Sequence, residues 1–188
     1  KNIYENNLKI GFLSNISFDK GISLFFETIE KLTSEGFSVH AKIAGPFEDK
    51  KVEKYVLEKV NNSSAIKYIG PIYNQKKYEF FNDINVLLFP TQYKNEAEPL
   101  TIHECFSYGI PVISLDRGCI SEIMRDFPIF CISEPLNYAS ESVKIIQNNF
   151  QTFDSLSKVS NEVRLSFKSQ KFTAEESLEN LIKEIITS

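Results

Sequence analysis

The sequence contains no tryptophan, one methionine and three cysteines, and no stretch of it approaches the roughly 18 uninterrupted apolar residues that a membrane-spanning helix needs. No basic segment leading into an apolar one stands at the start, so neither a transmembrane segment nor a signal peptide is expected, and the expected location is cytoplasmic. Lys and Arg form no dense block and the formal net charge is −4, which argues against nucleic acid as a partner. Cys105, Cys119 and Cys131 are odd in number, lack CxxC spacing and fall in or beside apolar segments. They are expected to be reduced core thiols rather than disulfides or zinc ligands. The glycine fingerprints of nucleotide folds are also missing: after LKIGFL comes SNISFDKG, which is neither GxGxxG nor GxxxxGK[ST]. Since Met124 is the only methionine and the chain opens on Lys1, it is expected to be a piece of a longer protein.

What is present is enough for one well-buried domain. At 188 residues with 42% hydrophobic content, a single core is expected and two ordinary domains are not. Six apolar, β-rich runs read as strands: LKIGFLS (8–14), SVHAKIAG (38–45), IKYIGPI (66–72), NVLLFP (85–90), IPVISLD (110–116) and IFCIS (129–133). Helical patterns separate them. Ile22, Phe25, Phe26, Ile29 and Leu32 recur at helical spacing before a stop at Gly36; Asp49 to Asn61 places Val52, Tyr55, Val56 and Val60 on one face; Asn74 to Asn82 carries Tyr78, Phe80 and Phe81. Continuous apolar strands alternating with helices predict an α/β fold, a Rossmann-like doubly wound parallel sheet of about six strands with helices on both faces. After Ser133 three helical patterns form a tail, the last with Thr173 and Glu176 at capping-box spacing ahead of Leu178, Leu181, Ile182 and Ile185.

In an open parallel sheet, ligands bind beyond the carboxyl ends of the strands, where helix N-termini favour anions. That directs attention to loops 14–21, 45–49, 70–74, 90–99 and 116–120. Loop 14–21 offers Asn15 and Lys20, an amide and a cation ahead of a helix, able to grip a phosphate or simply to be solvated beside the turn glycine Gly21. Loop 90–99 leads into a helix predicted from Pro99 to Tyr108, with Gly109 as its cap. Glu96 and Glu98 precede that helix and Glu104 lies one and a half turns inside it. Two readings of these acids remain open on residue chemistry alone. Glu104 binds the vicinal hydroxyls of a ribose while the free N–H groups of Leu100 and Thr101 face a phosphate; or the acids only complement the helix dipole and point to solvent.

The order of motifs settles on a family. Glu96 and Glu104, with seven residues between them, are followed by CFSYGIPVIS, and this segment resembles the E-x7-E signature of retaining family 4 glycosyltransferases of the GT-B fold, usually close to EGFGLxxLEAxAxGxPVIA. The neighbouring signals fall in that family's order: FDKG opening a helix at Lys20, KIAGP (42–46), YIGPI (68–72), DINVLLFPT (83–91), the signature, then SLDRGCISEIM (114–124). The resemblance covers roughly residues 8 to 125, and KFTAEESLENLIKEI (171–185) is similar to the family's closing helices.

The resemblance implies a C-terminal, donor-binding domain over residues 1–188, lacking its N-terminal acceptor domain. It implies a nucleotide sugar as donor, a glycan, lipid or protein acceptor reached through that missing domain, and placement in the cytoplasm or at the inner face of a membrane. Carried over residue by residue, Lys20 neutralises the diphosphate, Glu96 contacts the donor sugar and Glu104 holds the ribose. Backbone groups at Pro99, Leu100 and Thr101 receive sugar and phosphates, and Gly70, Pro71 and Ile72 border the base. No metal and no cofactor is implied. The family's frequent Gly-Arg, five residues ahead of the lysine, is Ser14-Asn15 here, and the usual GFG between the glutamates is Ala97, Glu98 and Pro99. His103, beside Glu104, is assigned a structural or edge role, because adjacent helix residues point about 100° apart. Two other readings are a non-catalytic nucleotide-sugar-binding module that needs a partner chain, and an oxidoreductase or epimerase, the latter opposed by the missing fingerprint.

Overall fold

The computed structural model describes residues 8–125, 127, 130–150 and 152–187. Six strands form one all-parallel sheet: β1 (Leu8–Leu13), β2 (Val39–Ala44), β3 (Ile66–Tyr68), β4 (Val86–Phe89), β5 (Val112–Leu115) and β6 (Phe130–Ile132), in the order β3-β2-β1-β4-β5-β6. Every expected strand is found, each shortened at one end or both; Ile129, the expected start of the last, lies outside the described residues. β4 and β5 are buried at every position, as parallel strands covered on both faces must be.

Helices α1 (Ile22–Ser34), α2 (Lys50–Asn61), α3 (Gln75–Asp83), α4 (Leu100–Tyr108) and the short α5 (Ile120–Ile123) follow successive strands. Right-handed crossovers place α1 and α2 on one face and α3 and α4 on the other. Ring contacts agree, with Phe26 and Tyr55 joining α1 to α2, and Phe81 stacked on Tyr108 between α3 and α4. The apolar positions of α1 read at helical spacing, Ile22, Phe25, Phe26, Ile29 and Leu32, are all buried, each worth about 1.5–3 kcal/mol of transfer free energy. α2 begins at its Asp49 cap, whose carboxylate accepts from the Val52 N–H at 2.8 Å.

The tail departs from expectation. A 3-10 turn (Pro135–Asn137) leads into α6 (Tyr138–Asn149), which packs on α1, and then one helix, α7, runs from Phe153 to Thr187. The capping box at Thr173 and Glu176 does not form: Thr173 is helical, and its hydroxyl donates to the Ser169 carbonyl one turn back. Neither Gly nor Pro interrupts residues 153–187, so nothing in the chain forces a break there. The first turns of α7 bury Leu156, Val159 and Val163, and Arg164 donates to the Tyr108 carbonyl at the end of α4. Beyond Lys168 the described side chains are exposed or nearly so.

The expectation of three core thiols holds in part. Cys105 is buried and Cys131 half-buried, but Cys119 is exposed, because it sits in the turn ahead of α5 rather than in the sheet.

Candidate functional site

The strand order reverses between β1 and β4, and the loops that leave their carboxyl ends meet there. Gly21, with φ of +79°, lets the β1 loop press against the end of β4; a Cβ at this position would come within 1.9 Å of the Pro90 carbonyl oxygen. The two loops are then fastened by a hydrogen bond from the Gln92 N–H to the Asp19 carbonyl, 2.7 Å. Within the first loop, the buried Ser17 hydroxyl accepts from the Lys20 N–H at 3.1 Å. These contacts set where the Lys20 side chain begins.

Its ammonium ends 2.6 Å from Glu96 Oε2. The pair spans the switch point, Lys20 from the loop after β1 and Glu96 from the loop after β4, with side chains 24% and 11% exposed. Burial of this degree makes leaving either charge alone costly. The same Glu96 oxygen accepts from the buried Thr91 hydroxyl at 2.9 Å, and Lys20 Nζ lies 4.9 Å from the centroid of the Tyr93 ring. On the far side the Glu96 carbonyl accepts from the Cys119 N–H at 3.3 Å, and Gly118 passes so close that a Cβ on it would overlap the Glu96 carbonyl. Glu96 is therefore anchored by main chain from the loop after β5 and by side chains from the loops after β1 and β4.

Helix α4 starts immediately beyond. Its first residue is Leu100, not Pro99, which takes the N-cap position with φ of −71°. No side chain caps it, and first-turn N–H groups such as those of Leu100 and Thr101 have no acceptor within a helix. Leu100 is 71% exposed and Thr101 half-buried, so the helix start opens to solvent beside the Lys20–Glu96 pair.

The remaining sequence-predicted residues surround this centre without joining it. Asn15 is exposed in the β1 loop, where flanking Ile16 pairs with Phe47 and ties the loop to that after β2. The Gly70 carbonyl accepts from the Gly45 N–H at 3.0 Å, which fixes the start of loop 70–74. Pro71 is exposed, whereas the Ile72 side chain belongs to the core, so Ile72 offers only its backbone to a ligand. Glu104 pairs with Lys77 of α3, whose ammonium contacts both carboxylate oxygens at 2.5 and 2.6 Å. Glu98 is 70% exposed, with Oε1 3.2 Å from His103 Nε2 in a contact too poorly aligned to be a hydrogen bond. His103 Nε2 is buried and has no hydrogen-bond partner among the described residues.

Thr91, Tyr93 and Lys77 were not found by sequence reading. Thr91 stands directly after the apolar run of β4, the position from which a strand-end side chain enters a switch-point cleft; that rule could have found it. Nothing local marks Lys77.

Comparison with known proteins bears on the family and the fold. The family described as glycosyl transferases group 1 matches residues 1–148, and the chain belongs to that family. The fold is shared with HepE (Alr3699) of Anabaena, solved with UDP and glucose, at a TM-score of 0.75 and 16% identity over 96% of this chain and 49% of that one. TarM of S. aureus aligns at a TM-score of 0.72 and 19% identity over 94% of this chain and 35% of that one. The C-terminal domain of LpcC, a glycosyl transferase group 1 protein of Francisella tularensis, aligns at 0.71 and 17% over 87% and 86%. The chain thus spans about half the length of HepE and nearly all of an isolated C-terminal domain. No curated protein matches it by sequence. The architecture is that of a GT-B C-terminal domain.

Proposed function

We propose that this domain binds the nucleoside-diphosphate sugar of a retaining, hexosyltransferase-like enzyme of the family 4 type. The observation that supports it best is the meeting of Lys20 and Glu96 across the switch point, beside the uncapped start of α4. An ammonium paired with Glu96 and the free N–H groups of a helix that starts four residues after Glu96 suit a diphosphate, and the carboxylate suits sugar hydroxyls. In the reaction the bond from the anomeric carbon to the β-phosphate oxygen breaks and the nucleoside diphosphate leaves with both electrons. The acceptor oxygen bonds to the same face of that carbon, and its proton passes to the departing phosphate. Lys20 and the α4 N–H groups stabilise the charge that grows on the phosphate, and no metal or cofactor is required.

Without ligand, Glu96 compensates the charge of Lys20, so diphosphate binding exchanges one anion for another. Glu104 contributes the ribose contact, Gly70, Pro71 and the Ile72 backbone border the base, and Asn15 donates a neutral hydrogen bond where relatives bring a cation. The acceptor, a glycan, lipid or protein, is taken by an upstream domain, in the cytoplasm or at the inner face of the membrane. By itself the domain binds donor and transfers weakly or not at all.

Calorimetric titration with UDP, GDP, ADP and NAD, repeated on Lys20→Ala and Glu104→Ala, tests the reading. A nucleoside diphosphate should bind and should weaken at least tenfold in each variant, the worth of one charge-assisted contact. Unchanged binding in both variants overturns the site, and tight NAD binding favours an oxidoreductase. Nucleotide binding without transfer by the full-length protein supplied with donor and acceptor marks a non-catalytic module.

A further inference from the structure

Glu104 is given a ribose by the proposed function, and Lys77 is left without a task. Lys77 belongs to α3 and lies 27 residues from Glu104 in sequence, yet its ammonium spans both Glu104 oxygens, at 2.5 and 2.6 Å. The two side chains are 31% and 37% exposed, and the ammonium also stands 5.9 Å from the centroid of the Phe81 ring. Together they form part of the wall of a cavity of about 480 Å³ whose other lining includes Tyr73, Tyr78 and Tyr108. The contact is unlike an ordinary surface pair, in which one oxygen meets one ammonium and the other stays in water.

A glutamate on a helix samples several rotamers, and freezing them when a ligand arrives costs affinity. A cation shared between both oxygens removes that cost in advance. It also takes one acceptor site on each oxygen and leaves the other, since a carboxylate has about four. What remains is one free acceptor on each of two oxygens, a match for two hydroxyls on neighbouring carbons. We infer that Lys77 is a positioning residue that holds the Glu104 carboxylate ready for the vicinal 2′- and 3′-hydroxyls of the donor ribose. This rests on the reading of Glu104 as the ribose anchor.

The test compares the tightest-binding of UDP, GDP and ADP with its 2′-deoxy counterpart, by calorimetry, on wild type, Glu104→Gln, Lys77→Met, Lys77→Arg and the neighbouring exposed control Lys76→Met. Wild type and Lys76→Met should prefer the ribonucleotide about tenfold, as expected for a hydrogen bond to a charged group. Glu104→Gln should lose that preference, Lys77→Met should reduce it to about twofold or less, and Lys77→Arg should restore most of it. A merely structural Lys77 would weaken both nucleotides equally and leave the ratio intact. Should Lys77→Met keep the tenfold ratio while Glu104→Gln loses it, the positioning role is wrong and the ribose site stands. Should Glu104→Gln keep the ratio, or should no nucleoside diphosphate bind wild type, the ribose site itself is wrong and the role of Lys77 goes with it. Lys77→Arg covers the case in which Lys77→Met fails to fold: if the arginine variant folds but has lost the preference, two forked donors cannot replace one shared ammonium and the inference fails.

Discussion

Lys20 Nζ and Glu96 Oε2 lie 2.6 Å apart, although 76 residues separate them in the chain. The two charges compensate each other, and the proposed function gives Glu96 two opposed effects on binding. Under that proposal it competes with a diphosphate for Lys20 and offers an acceptor to the donor sugar. Glu96→Gln should therefore bind free nucleoside diphosphate several-fold more tightly. The full-length enzyme carrying it should lose transfer by roughly a hundredfold or more, the usual cost of a group used in the transition state. Isothermal titration and a transfer assay on the same variant check both halves.

Gly21 and Gly118 hold the two edges of the Glu96 loop by backbone contact. Gly21→Ala sets a Cβ against the Pro90 carbonyl at a φ of +79°, and Gly118→Ala does the same to the Glu96 carbonyl at +54°. Each should cost about 2 kcal/mol or more, or roughly 4–8 °C in Tm for a domain of this size. Gly118→Ala should in addition weaken nucleotide binding, since it displaces the main chain that carries Glu96. Thermal melts with and without nucleoside diphosphate separate the two effects.

Thiol chemistry should distinguish the three cysteines. Burial, with the Glu104 charge adding to it, holds the Cys105 thiol well above its usual range, and burial beside Asp116 pushes Cys131 up to about 11. Cys119 is exposed. Native protein at pH 8 should show one fast-reacting thiol with a small aromatic disulfide reagent, and Cys119→Ser should abolish it.

The acid limb of stability should owe something to Asp83. Burial works to raise its pKa, but hydrogen bonds from Lys42 and Lys9 outweigh that and leave it lowered. A carboxylate lowered on folding binds fewer protons in the native state, so its stabilisation is complete above the ordinary carboxylate range and fades as pH falls through its own lower pKa. Asp83 is about one-third exposed, so solvent screening limits the contribution to about 1 kcal/mol. Asp83→Asn should lower Tm at pH 7 and flatten the loss of Tm below pH 4.

Much of this was legible in the chain because it depends on local pattern. All six strands show as apolar runs, α1 to α3 as apolar periodicity and α4 by its flanking Pro99 and Gly109, while the short α5 was not predicted, and Glu96 and Glu104 are visible at a fixed spacing. What did not show is tertiary or negative. The pairing of Lys77 with Glu104 depends on how α3 lies against α4, and a lysine on a helix otherwise reads as solvated surface. The capping box at Thr173 failed because its residues are equally compatible with helix interior when no breaker precedes them. Cys119 was misplaced because an apolar neighbourhood in sequence, here ending at Leu115, does not reveal where the strand stops and the turn begins.

The contacts at Gly21 and Gly118 also bear on how this fold tolerates change. Both press backbone on backbone, against the carbonyls of Pro90 and Glu96, so the distance between the loops is set by peptide groups that every residue possesses. A cleft spaced in this way keeps its dimensions while nearly all the side chains around it are exchanged. That is a physical route by which chains only 16–19% identical can superimpose over more than nine-tenths of this one.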